Sequence, residues 1–313
     1  MRPIRQLTPT QGVTWLDEFI TGLKRADLSP RTIAGYQDDL VRFLHWFRHT
    51  KGAEVQFETL RAEDIIHYRQ HLGRVDKLQP ATINRRLQAL RRFCRWAVQH
   101  GLLKDNPAAE INLVRKVAPR QPMGLQAFEV HALLRVAGES HHGLARRNYA
   151  LIQLMIQTGL RVSEVASLRV ADIVLRDRSG SVRVREGKGN KAREVPLNAT
   201  ARRALRLYLD ARGDLDENEP LFASKRGLAL TIRSIQTVIA ELARRARITR
   251  LKVSPHTLRH SFALNYLQHN PGKLIELANL LGHDSLDTTA IYTRPSVESL
   301  AQDLEGSLLN VYG

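Results

Sequence analysis

Apolar positions in the first hundred residues fall at helical spacing in four blocks. Thr14 with Asp17 has the form of a capping box and starts a helix through Lys24. Ser29-Pro30 is a second start, with Ser as N-cap and Pro in the first turn. Ile33, Tyr36, Leu40, Phe43 and Phe47 then step by three and four, the period of an amphipathic helix. A third helix is expected over about 62–72. A fourth begins near Pro80 and aligns Ile83, Leu87, Leu90, Cys94 and Ala97 on one stripe.

Gly101 closes the fourth helix, and the stretch after it loses periodicity. Pro107, Pro119 and Pro122 stand there among Arg115, Lys116 and Arg120, which reads as a basic linker over 105–123. Residues 125–300 are mainly helical with one break. Ser181–Glu186 alternates as a strand, Gly187–Asn190 has turn chemistry, and Arg193–Leu197 is a short returning strand. Beyond Val297, Leu300, Leu304 and Leu308 form a narrow apolar stripe in an acidic tail. The expected layout is mainly α with a small β-hairpin: a helical domain over 8–104, the linker, a second domain over 124–299, and a tail over 300–313.

The chain of 313 residues is long enough for two domains, and 43% apolar with 25% charged residues suits a soluble globular protein. A disordered, collagen-like or disulfide-stapled chain is excluded by that composition. The decisive number is the charge of +17, which calls for a polyanionic partner. An acidic membrane surface is the weaker choice, because the densest apolar patch, Leu151–Ile156, is short and interrupted by Gln153. Nucleic acid leads. Residues 1–13 show no apolar leader core, and the single Cys94 excludes an intramolecular disulfide, so a cytoplasmic, nucleoid-associated protein is expected. On the fourth helix Arg85, Arg91, Arg92 and Arg95 share an arc of about 120° opposite the apolar stripe. They are either a solvated face or a row of phosphate contacts, and the surplus charge favours the second. Cys94 lies on the apolar side, as a buried thiol.

Four local patterns in the second half carry candidate chemistry. In Thr158-Gly159-Leu160-Arg161-Val162-Ser163-Glu164 an apolar helix ends and another begins, leaving Arg161 where a guanidinium needs either an anion or Glu164. Lys188 sits between Gly187 and Gly189 at the hairpin tip, with Lys191 close behind; an exposed turn is the ordinary alternative. Ser254-Pro255-His256-Thr257-Leu258-Arg259-His260 opens a helix whose first turn projects His256 and Arg259, a natural phosphate cradle, with His260 packed beside them. Leu258, Phe262 and Tyr266 supply the buried side of that helix. Last come Leu280-Leu281-Gly282-His283 and Ile291-Tyr292-Thr293-Arg294. No carboxylate cluster suggests a metal: Asp38-Asp39 reads as a solvated face, and Ser140-His141-His142 lacks helical metal-pair spacing.

In this order the segments TGLRVSE, GKGNK, HTLRH, LLGH and IYTR resemble the tyrosine recombinases of the phage-integrase family, in their Xer-like two-domain form. Tyr292 stands nine positions after His283, as that pattern expects. The likeness spans nearly the whole chain, since the four-helix front also resembles the family's SAM-like core-binding domain. With the first helix starting near Thr14, a layout without a separate arm-binding domain is expected.

The resemblance implies a site-specific recombinase in which Tyr292 attacks a scissile phosphate and forms a 3′-phosphotyrosyl link. Arg161 and Arg259 would clamp the phosphate, Lys188 protonate the leaving 5′ oxygen, His256 assist proton transfer and His283 donate to the phosphate. Glu164 would hold Arg161 or His256 in place. Neither metal nor ATP or other cofactor is implied. The partner would be double-stranded DNA with paired sites, met by Arg85, Arg91, Arg92 and Arg95 and by Lys191 and Arg193. Four like or related protomers would assemble on it, the tail docking on a neighbour. Two alternatives stay open: a non-catalytic DNA-binding protein of this fold, and a type IB topoisomerase-like enzyme. The choice between chromosome-dimer resolution and mobile-element integration, excision or transposition also stays open.

Overall fold

A computed structural model describes residues 14–26, 28–55, 60–115, 122–139, 144–185, 192–283, 285–293 and 304–305. Lys188, Lys191, the Thr14 side chain and the tail leucines Leu300 and Leu308 lie outside them. The chain divides into two compact units, Met1–Ala118 and Pro119–Gly313.

The first unit holds α1 (Thr14–Arg25), α2 (Pro30–Lys51), α3 (Ala62–Arg74) and α4 (Pro80–Gln99). The Ser29 hydroxyl accepts the Thr32 amide at 3.2 Å, so the predicted cap of α2 forms. Phe19, Leu40, Phe43, Ile65, Leu87 and Leu90 make one core. Phe43 meets Tyr68 edge-on with ring centroids 5.1 Å apart, an arrangement aromatic quadrupoles favour. Cys94 is fully buried, and burial pushes its thiol up to about 12, which makes it inert at neutral pH.

Part of the expected linker is bonded to this unit. Asn84 brackets Val114, donating to its carbonyl and accepting its amide at 2.8 Å each. Arg69 donates to the Asn112 carbonyl at 2.6 Å. Asp39 departs from the reading as a solvated carboxylate. It is 2% exposed and paired with Arg85, because α2 turns it under α4 rather than to water. Burial pushes its carboxyl up against the pull of Arg85 and Arg86.

The second unit is built around α6 (Ala145–Thr158), flanked by α5 (Ala127–Gly138), α8 (Ala199–Asp210) and α10 (Pro255–His269). Leu151, Ile152 and Leu154 are fully buried, and each such side chain contributes about 1.5–3 kcal/mol. Gln153 is tolerated inside because its amide donates to the Tyr149 hydroxyl at 3.0 Å. A short α7 (Val162–Ser167) precedes a sheet of order β1-β2-β3, formed by β1 (Ile173–Leu175), β2 (Gly180–Val184) and β3 (Arg193–Pro196). The hairpin was expected. β1 was not, since three residues are too few to show an alternation. Strands β2 and β3 pair antiparallel, aligning Val182 with Val195 and Val184 with Arg193. After α9 (Ile232–Arg245) and α10 come α11 (Leu274–Leu281) and α12 (Leu286–Ala290), which bring the last motif back beside α10.

Candidate active site

Two glycines shape the site. Gly159 ends α6 at φ +63°, and a Cβ there would lie 2.4 Å from Phe262 and 2.9 Å from Leu281. Only glycine fits that backbone and that space. Its carbonyl accepts Arg259 Nη1 at 2.7 Å. Gly282 ends α11 in the same way at φ +63°, with Arg193 Nη1 2.7 Å from where a Cβ would be. Its carbonyl accepts Arg161 Nη2 at 2.6 Å.

Arg161 is the N-cap of α7, which begins at Val162, one residue earlier than Ser163, the expected start. Its amide donates to Glu164 Oε2 at 2.7 Å and its Nη1 to Oε1 at 2.9 Å. Glu164 therefore closes the helix end and holds the guanidinium together. From β3, Arg193 donates to both oxygens of the same carboxylate at 2.9 Å and through Nε to the Leu280 carbonyl at 3.1 Å. Burial alone would push Glu164 up. The hydrogen bonds and charge of Arg193, with the bonds from Arg161, outweigh it and hold the carboxyl below its ordinary 4.5. This corrects one expectation: Arg193 points inward to Glu164 rather than outward to a polyanion. Alternation in the strand could have shown it, since Arg193 shares a face with buried Val195 and Leu197.

On α10 the Ser254 hydroxyl accepts the Thr257 amide at 3.3 Å, so the helix begins where its Ser-Pro signal places it. Arg259 is 5% exposed; its Nη2 donates to the Leu281 carbonyl at 2.9 Å and to His283 Nε2 at 2.8 Å. Burial, then the neighbouring charge of Arg161, lowers it to about 10, still cationic at neutral pH. Arginine has donors only, so His283 Nε2 must accept and its proton must sit on Nδ1, 2.7 Å from Thr289 Oγ1. In this arrangement His283 Nε2 serves Arg259 and has no proton to give an anion.

Tyr292 follows α12 and is 6% exposed. Its Oη lies 2.8 Å from His260 Nδ1, with the rings 5.5 Å apart. Burial pushes the phenol up, and Arg259 pulls it back. His256 stands exposed on the first turn of α10. Glu164 reaches Arg161 and Arg193, so of its two expected partners Arg161 is the one found. The structure thus gathers Arg161, Glu164, Arg193, Arg259 and His283, with His260 and Tyr292 behind Arg259. Three guanidiniums face one carboxylate, a surplus of positive charge suited to an oxyanion.

The arginine arc of α4 is not uniform. Arg85 is committed to Asp39, with Nη2 2.9 Å from Oδ1. Arg91 donates to the Ala108 carbonyl at 3.0 Å and to that of Ile111, so it braces the chain after α4 instead of standing free. Arg92 lies over the Tyr36 ring at 5.5 Å, and Arg95 is exposed. Arg91, Arg92 and Arg95 line a groove of about 850 Å³ with Tyr36, Trp96 and His100. Among the described residues no three His, Cys, Asp or Glu side chains gather to hold a metal, and no helix is long and apolar enough to cross a membrane.

Residues 124–299 match the phage integrase family, and residues 16–101 match the phage integrase N-terminal SAM-like domain. The chain belongs to the phage integrase family. Within it the chain is a tyrosine site-specific recombinase, as its relatives support. It is 34% identical to tyrosine recombinase XerC of Alcanivorax borkumensis, covering 93% of this chain and 92% of that one. It is 35% identical to tyrosine recombinase XerD of Ralstonia nicotianae, with 93% of each chain covered. The fold of the recombinase matches the crystal structure of XerH site-specific recombinase bound to palindromic difH substrate in a post-cleavage complex. That match has TM-score 0.74 and 23% identity, covering 95% of this chain and 85% of that one.

Proposed function

We propose that this recombinase cuts and rejoins double-stranded DNA at paired sites through a 3′-phosphotyrosyl intermediate. Tyr292 is the nucleophile. Its Oη bonds to the scissile phosphorus while the bond to the 5′ oxygen breaks. The link conserves the energy of the broken diester, so a 5′-hydroxyl of another strand reseals it without ATP. Arg161 and Arg259 face the non-bridging oxygens, and Lys188 gives the leaving oxygen its proton. His256 and His283 complete the phosphate's surroundings, His283 once Arg259 turns from it to the substrate. By analogy with other preorganised donors, losing either arginine costs about 2.7–4 kcal/mol, or roughly 100- to 1,000-fold in rate.

The convergence of Arg161 and Arg259 on the 281–283 turn, beside Tyr292, carries this reading. Arg92 and Arg95 support a contact of the first unit with DNA, and Lys191 adds one from the hairpin. Recombination joins two sites, so the working assembly is four protomers on DNA, alike or of two related kinds, the tail around Leu304 packing on a neighbour. The naming of its relatives favours an Xer-type role over a mobile-element one.

The test uses nicked duplexes bearing the site that this protein selects from a random-sequence library, resolved on denaturing gels with a chelator present. Wild type should leave a protease-sensitive adduct, and Tyr292→Phe should bind the duplex without forming it. Specific binding with no adduct from either protein would instead support a binding protein of this fold.

A further inference from the structure

His260 follows Arg259 on α10, so its side chain is turned about 100° from the arginine and faces the segment after α12. There its Nδ1 meets Tyr292 Oη at 2.8 Å. Tyr292 is 6% exposed, so its phenol has little water to take its proton. His256, the histidine that family resemblance places in this role, stands exposed on the first turn of the same helix. The groups facing His260 are His256 and Arg259 on its own helix and Tyr292 from across. Burial, then His256 and Arg259, holds the imidazole below its ordinary 6.5, which leaves it neutral at pH 7 and able to accept a proton.

We infer that His260 is the catalytic base for Tyr292, taking the phenolic proton on Nδ1 as Oη attacks and returning it when the link is resealed. This rests on Tyr292 being the nucleophile. In the forward step the Oη–P bond forms and the P–O5′ bond breaks. The electron pair of the broken bond leaves on O5′, which is protonated at the opposite end of the site. The proton lost by Oη stays on His260 as imidazolium. When a 5′-hydroxyl attacks the phosphotyrosine, the departing Oη recovers that proton. Nδ1 accepts only in the tautomer that carries its hydrogen on Nε2. Placing base and nucleophile within hydrogen-bond reach is what such a transfer requires.

Two measurements decide it. Single-turnover adduct formation on the selected nicked duplex is followed from about pH 5 to 9 for wild type, His260→Gln and His256→Ala. The wild-type rate should climb with a midpoint below 6.5 and then level. His260→Gln should lower the plateau by about 100-fold or more and abolish the climb, while duplex affinity and Tm stay as in wild type. His256→Ala should keep the climb even if its rate is lower. In the free protein labelled with ¹³C at tyrosine Cζ, the Tyr292 signal, identified by its absence in Tyr292→Phe, should follow the titration of His260 and lose that step in His260→Gln. A wild-type rate and pH profile in His260→Gln, or a Tyr292 signal indifferent to that titration, would overturn the role of His260 alone. Equal adduct from wild type and Tyr292→Phe would overturn the nucleophile, and this inference with it.

Discussion

Arg193 on β3 and Glu164 on α7 meet fork to fork, each terminal nitrogen of the guanidinium 2.9 Å from one carboxylate oxygen. Bidentate pairs of this kind fix orientation as well as charge. Because the same carboxylate also holds Arg161, the returning strand of the hairpin is tied to the arginine expected to grip phosphate. Arg193 also donates to Leu280, just ahead of Gly282, so three separated motif segments share one ionic hub.

Glu164→Gln should loosen that hub. Removing one partner of a buried ion pair costs about 3–5 kcal/mol, and the retained amide recovers part of it, leaving roughly 2–3 kcal/mol. For a unit of this size that lowers Tm by about 5–10 °C. The pH dependence follows from the lowered carboxyl. Its stabilisation is complete above the ordinary 4.5 of the unfolded chain and is lost as pH falls through the lower folded value. Thermal unfolding of both proteins at neutral and at acid pH should show a gap that closes on acidification; equal Tm at neutral pH would contradict it.

Gly282→Ala should expel Arg193 from its seat. The added methyl meets Arg193 at 2.7 Å, and the backbone at φ +63° disfavours any side chain. A loss of about 1–3 kcal/mol is expected from strain of this kind. Arg193→Ala in the same background should then add little, because the methyl has already broken the pair. A double-mutant cycle by denaturant unfolding reads this directly, and full additivity would count against it.

On α4 Arg91 should separate by role from Arg92 and Arg95. Arg92→Ala and Arg95→Ala should each reduce the salt slope of duplex binding by about one, as expected for a lost phosphate contact. Arg91→Ala should chiefly lower stability, since it braces Ala108 and Ile111. Titrations of fluorescent duplex over a series of salt concentrations separate the classes; equal slopes for all variants would argue against this division.

How much of this was legible in the sequence depends on how local each signal is. The caps at Ser29 and Ser254 and the apolar run of α6 are read within a few residues, and they form as expected. Strand β1 is too short to carry a period. Asp39 looked solvated because nothing near it in sequence announces Arg85, which arrives from another helix. Arg193 was misjudged by its basic neighbours, although its place on the face of Val195 and Leu197 pointed inward. His260 and Tyr292 are distant in sequence, and their contact depends on α11 and α12 folding back onto α10. Motif order singled out Arg161, Arg259 and Tyr292 as candidates, but it could not show which histidine the tyrosine touches.

In the proposed reaction Tyr292 itself becomes bonded to DNA, and that bond can be read directly. After cleavage of a nicked site, the trapped protein would be trimmed with nuclease, digested with protease and sequenced by mass spectrometry. One modified peptide is expected, with a nucleotide joined through its 3′ phosphate to Tyr292. A nucleotide on any other residue, or a link through a 5′ phosphate, would contradict it.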